Sequence, residues 1–311
     1  MAKLIALVLT FFSTIGSAFS APVSENYALS QPLPIFGIEE ARASISSFGF
    51  EVHQAPTLKP QTENFSLEAS SAIVIDRETG KVLFEKQADR RQAFASITKL
   101  MTALITRREL ALNDVISVPH EATKVTGSKS GLREGGEFTI YDLLYSLLLE
   151  SGNDTAHTLA MSVSGDIGTF VGEMNRSAAV IGLDDTHFTN PYGFDSDYHY
   201  STPRDLAKLV GIILDDPILA EIVSQSKKTI HSLGDNQVYN LKSTNVLLGD
   251  DELHITGVKT GTTSAAGESL ATSSVDNEGH ELIAIILNST DRFGEMKELI
   301  KWTWDAYLWH D

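Results

Sequence analysis

The sequence predicts an α+β fold: an antiparallel β-sheet flanked by helices, with a mostly helical subdomain inserted between its halves. β-prone apolar runs appear just after Ser70, helix-forming segments fill the middle, and β-prone runs return from Ile255 ahead of a last amphipathic helix. This order argues for a sheet completed from two distant stretches of chain.

The chain opens on an export signal. Lys3 supplies positive charge, Leu4 to Phe12 a short apolar stretch, and Ala18-Phe19-Ser20 small residues at the cleavage-determining positions, so residues 1–20 read as a signal peptide. The stretch is too short to predict a membrane span, and release to the periplasm or the extracellular cell wall is expected. Residues 21–68 mix Pro, Ser, Gln and Glu without sustained periodicity and read as a flexible linker, with a brief helix at Ile38 to Ile45. The folded domain is expected over 69–311, with its helical subdomain at about 110–205.

Within that domain, Ala72 to Asp76, Arg77 to Gly80 and Lys81 to Glu85 read as strand, tight turn, strand. The apolar runs suit a sheet covered on both faces, and Gly80 suits a turn position of positive φ. Ser96 to Arg108 places Leu100, Ala103, Leu104 and Arg107 at helical spacing, and Tyr141 to Leu149 reads as a buried helix ending just before Ser151. Ala156 to Val163 and Phe170 to Ile181 read as further helices. Ile255 to Thr260, Ser269 to Thr272 and Glu281 to Leu287 are β-prone. Glu295 to Trp309 closes as a helix whose Trp302, Trp304 and Trp309 are expected to pack on the sheet rather than on a membrane.

Composition narrows the function. The 311 residues are 42% hydrophobic and 21% charged, ordinary for a soluble globular protein. A net charge of −17 without a long basic run argues against a nucleic-acid partner, whose phosphates need clustered Lys and Arg. With no cysteine, the fold has neither a disulfide nor a lipid-modified cysteine to anchor it. The nine histidines show no His-Glu-x-x-His spacing, so neither a metal nor another cofactor is expected. His157 reads as a helix-surface residue.

Three motifs carry the chemistry: Ser96-Ile97-Thr98-Lys99, Ser151-Gly152-Asn153 and Lys259-Thr260-Gly261. Each alone is weak. Ser224-Gln225-Ser226-Lys227 is a second Ser-x-x-Lys, and Ser24-Glu25-Asn26 and Ser243-Thr244-Asn245 are further Ser-x-Asn matches. On a helix, residues three apart share a face, so Ser96 and Lys99 bring hydroxyl and amine together. A serine becomes a good nucleophile when a base takes its proton, and a lysine serves only if burial or a second cation keeps it neutral. Lys259 is the candidate second cation. Ser151 is a candidate proton relay and Asn153 a substrate clamp, against the plainer reading of a helix cap or turn. Thr260 and Gly261 suit an extended ligand lying along a strand end, and the Thr262 N–H is a candidate oxyanion donor.

With these motifs in this order, the chain resembles the serine-type D-alanyl-D-alanine carboxypeptidases, the low-molecular-weight penicillin-binding proteins. The resemblance runs from about Ser70 to Trp304. It includes Phe94 to Ala103, Thr186 to Gly193, Ser201 to Ala207, Thr244 to Leu248, and Lys259 to Thr263 with Ala266-Gly267. It implies a β-lactamase/DD-peptidase-like fold and an acyl-enzyme on Ser96 formed with peptidoglycan stem peptides, with Lys99 as base. It also implies β-lactams as covalent inhibitors and a substrate-carboxylate role for Arg292, for which a surface salt bridge is the alternative. Thr262 and Glu268 depart from the usual pattern, and neither the second β-rich domain nor the carboxyl-terminal membrane anchor of many relatives is expected. Three other functions remain open: endopeptidase action on crosslinks, a class A-like β-lactamase, and a non-catalytic wall-binding protein. The β-lactamase would need Ser-Asp-Asn where Ser151-Gly152-Asn153 stands, and no Glu-x-x-x-Asn stretch lies where its deacylating glutamate belongs.

Overall fold

The computed structural model describes residues 54–250 and 252–310; the expected signal peptide, the brief helix and most of the linker lie outside them. After a short strand β1 (Thr57–Leu58), β2 (Ser71–Asp76) and β3 (Val82–Lys86) form the expected hairpin. A turn of 3-10 helix at Ala95–Thr98 runs into α1 (Lys99–Glu109). The strands β4 (Val115–Ser117) and β5 (Glu137–Thr139) bracket the short α2 (His120–Lys124). Next come α3 (Ile140–Leu149), α4 (Asn153–Ser164), α5 (Ile167–Val180), α6 (Pro203–Asp215) and α7 (Pro217–Ser224). A hairpin of β6 (Lys227–His231) and β7 (Val238–Lys242) leads to β8 (Ile255–Thr263), β9 (Gly267–Val275) and β10 (Glu281–Ser289). Finally α8 (Arg292–Ala306) crosses the sheet, and β11 (Tyr307–Leu308) pairs with β1.

The central sheet has the order β3-β2-β10-β9-β8 with every neighbouring pair antiparallel, which is the expected α+β architecture. β10 explains the unbroken apolar runs. Ile283, Ile285 and Leu287 enter the core shared with α1 and α3 to α7, while Leu282, Ala284 and Ile286 enter the core shared with α8. A strand covered on both faces has no side to leave polar.

The structure departs from expectation in three places. Residues 57–68, expected within the linker, already pack on α8. Phe65 stacks on Trp302 at 5.4 Å, Leu67 is buried, and Trp302 Nε1 donates to the Glu63 carbonyl at 3.1 Å. Isolated apolar residues in polar surroundings leave no periodicity to read. The helical insertion extends past 205 through α6 and α7, each opened by a side-chain cap and a proline: Thr202 with Pro203, Asp216 with Pro217. The last helix stops at Ala306 because Tyr307 and Leu308 turn to pair with β1. The tryptophans pack as expected, Trp304 against Trp309 at 4.4 Å and Trp304 Nε1 on Ser274 Oγ at 3.1 Å. Among the described residues, no helix is long and apolar enough to cross a membrane.

Candidate active site

Ser96 sits on the 3-10 turn, partly open to solvent, on a backbone fixed from several sides. Its neighbour Ala95 has φ +48°, and the Thr98 hydroxyl donates to the Ala95 carbonyl at 2.7 Å. Thr98 Oγ1 lies 2.8 Å from Nε2 of buried His199, whose Nδ1 accepts the Thr189 N–H at 3.0 Å. Burial pushes His199 down to about 4, so the ring is neutral, with Nδ1 accepting and Nε2 donating. Two glycines complete the cradle. A Cβ on Gly193, at φ +94°, would stand 2.0 Å from the Ala95 carbonyl oxygen, and one on Gly261 would stand 3.0 Å from the Ser96 nitrogen. β8 therefore lies directly against the serine turn.

Lys99 opens α1 and is wholly buried. Its Nζ lies 2.9 Å from Ser96 Oγ and 2.7 Å from the Tyr192 carbonyl. Burial holds this amine well below the ordinary lysine range; the Lys259 charge adds to the effect and Asp154 opposes it. A neutral amine carries two N–H bonds and one lone pair. With one N–H spent on Tyr192, the lone pair is free for the serine hydroxyl.

Lys259 is 1% exposed on β8, and its Nζ donates to the Thr260 carbonyl at 3.1 Å. Burial pushes it down to about 7, with the positive charge of Arg292 as the second cause. Thr260 Oγ1 meets Thr244 Oγ1 at 2.6 Å, and the Thr244 N–H donates to the Leu149 carbonyl at 3.1 Å. The strand bearing the third motif is thus tied to the end of α3, two residues before Ser151. Arg292, first residue of α8, donates from Nη1 to the Gly261 carbonyl at 3.0 Å and to the hydroxyl of exposed Thr262. Its backbone N–H donates to Glu268 Oε2 at 3.2 Å. Burial lowers the Arg292 guanidinium from its ordinary value, against the pull of Glu268.

Ser151 has φ +63°, is 5% exposed, and its Oγ makes no hydrogen bond among the described residues. Asn153 donates from Nδ2 to the Thr126 carbonyl at 2.7 Å. Buried Asp154 holds the facing loop, accepting the Ser130, Gly131 and Leu132 N–H groups at 3.0, 2.9 and 3.0 Å. A Cβ on Gly152 would stand 2.5 Å from Ser130 Oγ and 2.8 Å from Asp154 Oδ1 and Thr155 Oγ1, so an aspartate there requires these side chains to shift.

The remaining sequence matches separate cleanly. Ser224 and Lys227 are exposed, at the end of α7 and the start of β6. Ser24-Glu25-Asn26 lies outside the described residues. The Ser243-Thr244-Asn245 match does border the site, through Thr244. Tyr192, Gly193 and Thr244 lie in stretches that carry the family resemblance, yet their local sequence signals only loops. His157 was expected on a helix surface; instead it is half-buried and bonded to the Tyr192 hydroxyl at 2.8 Å.

A semi-open serine, a wholly buried lysine within hydrogen-bond reach of it and held well below the ordinary lysine range, and a second buried lysine on β8 are the arrangement that serine–lysine acyl transfer requires. A family model described as D-alanyl-D-alanine carboxypeptidase, Peptidase S11, matches residues 57–291. The chain belongs to this family of serine DD-peptidases. It is 30% identical over 262 residues to the D-alanyl-D-alanine carboxypeptidase DacF of Bacillus subtilis, covering 80% of this chain and 66% of that one. It is 32% identical over 231 residues to a D-alanyl-D-alanine endopeptidase of Pseudomonas aeruginosa, covering 74% of this chain and 73% of that one. The crystal structure of the Streptomyces K15 DD-transpeptidase matches with a TM-score of 0.74 at 27% identity, covering 78% of this chain and 99% of that one.

Proposed function

We propose that this chain removes the terminal D-alanine from peptidoglycan stem peptides through an acyl-enzyme on Ser96. The observation that carries the proposal is the wholly buried Lys99 amine 2.9 Å from Ser96 Oγ. Ser96 gives its proton to the Lys99 lone pair and attacks the carbonyl between the two D-alanines. The Ser96 and Thr262 N–H groups receive the developing oxyanion. Ser151, whose buried hydroxyl has no partner among the described residues, passes a proton to the departing amine with the help of Lys259. Asn153 holds the stem peptide, Thr260 and Arg292 face its terminal carboxylate, and Gly261 lets the peptide lie against the strand. Water then releases the shortened peptide. Penicillins enter as substrate mimics and stay on Ser96. The catalytic unit includes the residues from Thr57 onward that strap α8, and the protein acts outside the cytoplasm after export by its leader.

A second reading, cleavage of crosslinks, is favoured by the similarity to the Pseudomonas endopeptidase. Defined muropeptides separate the two. Free D-alanine from pentapeptides supports the carboxypeptidase, whereas monomers released from crosslinked dimers, with pentapeptides untouched, support the endopeptidase.

A further inference from the structure

Tyr192 touches the chemistry twice. Its carbonyl accepts from Lys99 Nζ at 2.7 Å, while its hydroxyl meets His157 Nδ1 at 2.8 Å. The imidazole and phenol rings lie parallel, 6° apart in plane, with centroids 6.2 Å apart. Tyr192 is 8% exposed, and burial pushes its phenol up to about 12 and His157 below its ordinary value. Both groups are neutral, and a single hydrogen bond joins the phenol to Nδ1. The backbone around Tyr192 is just as constrained. Asn190 Oδ1 accepts the Tyr192, Gly193 and Phe194 N–H groups at 3.1, 2.8 and 3.0 Å. Thr102, on α1 with Lys99, donates to the Pro191 carbonyl at 2.9 Å.

His157 lies on α4, the helix that begins at Asn153 of the second motif. The Tyr192–His157 bond thus joins the loop that orients the Lys99 amine to the helix that carries Asn153.

We propose that Tyr192 and His157 form a positioning pair: the phenol–imidazole bond fixes the Tyr192 carbonyl, and that carbonyl turns the Lys99 lone pair onto Ser96. Neither side chain exchanges a proton with substrate. The inference rests on Lys99 being the base, as proposed above. Aim matters because a misplaced reacting group loses rate even when binding is intact.

Stopped-flow acylation by a fluorescent penicillin, run over a range of concentrations, separates the noncovalent dissociation constant from the acylation rate constant. Tyr192→Phe keeps the ring and the carbonyl but removes the hydroxyl; His157→Leu removes the imidazole partner. Each variant is expected to lower the acylation rate constant by about tenfold, with the dissociation constant held within about twofold. The double variant is expected to be no slower than either single one. His157→Asn, whose amide can stand near Nδ1, is expected to restore most of the rate. Folded variants with wild-type acylation overturn the proposal. So do losses that multiply in the double variant, or losses that Asn fails to restore. Lys99→Arg is run alongside: if it still acylates normally, the base assignment itself fails, whereas an inert Lys99→Arg beside a normal Tyr192→Phe removes only the positioning pair.

Discussion

Lys99 Nζ and Ser96 Oγ lie 2.9 Å apart with the amine wholly buried, three residues along the chain from the hydroxyl it faces. Burial, and after it the Lys259 charge, hold this amine well below the ordinary lysine range against the pull of Asp154, while the Tyr192 carbonyl accepts one of its N–H bonds.

Lys99→Arg keeps positive charge but cannot give up its proton at accessible pH. Its rate of penicillin acylation is expected to fall by on the order of 10³-fold with no recovery at alkaline pH. A variant that labels at the normal rate contradicts the assignment.

Lys259 links activity to stability. Its folded value of about 7 lies below the ordinary 10.5, so between those limits the unfolded chain binds more protons than the folded one. Unfolding free energy therefore rises with pH across that window, and the native enzyme carries the full cost of this lysine only below about 7. Lys259→Met is expected to be more stable than wild type at pH 7, by up to about 4 kcal/mol, with the gain shrinking toward pH 10.5. Denaturant titrations at several pH values measure it. A gain that does not change with pH contradicts the account. The same substitution removes a cation beside Lys99, so any residual acylation is expected to be lost at a higher pH on acidification than in wild type.

The fold was legible where one physical rule dominated. β2, β8, β9 and β10 follow from β-prone runs, and α3 from its apolar face. α6 and α7 carried a readable signal in Thr202-Pro203 and Asp216-Pro217, but a proline reads as easily as a break as it does a helix start. The strap at 57–68 had no local signal, because Phe65 and Leu67 gain their meaning only from Trp302 and the core beneath α8. The site divides in the same way. Side-chain chemistry marked Ser96, Lys99, Ser151, Asn153 and Lys259 as candidates; the structure sets Lys99 against Ser96 and brings Gly261 of the third motif to within contact of the serine turn. The Tyr192 contribution comes from a backbone carbonyl, which every residue has, and Thr244 joins the site by a contact across the fold.

Gly193→Ala tests the cradle. The added methyl at φ +94° would land 2.0 Å from the Ala95 carbonyl oxygen, and backbone has little freedom to withdraw. A loss of roughly 3 kcal/mol of stability is expected, together with slowed acylation. Gly279, also at φ +94° but with nothing within 4 Å of an added Cβ, serves as control; Gly279→Ala is expected to cost only about 1 kcal/mol and to leave acylation unchanged. Equal costs at the two sites would contradict the close-approach argument.

Asp154→Asn replaces a carboxylate oxygen that accepts loop N–H groups with an amide that donates. The variant is expected to lose about 2 kcal/mol of stability and to loosen the loop at Ser130 to Leu132. Faster hydrogen exchange at those amides is the measurement. Unchanged protection there would remove Asp154 from its proposed role.

The central claim is tested most directly by intact mass spectrometry after exposure to penicillin. Wild type is expected to gain one penicillin mass that decays slowly, and Ser96→Ala to gain none. A full adduct on Ser96→Ala, or wild type that turns penicillin over rapidly without accumulating one, would contradict it.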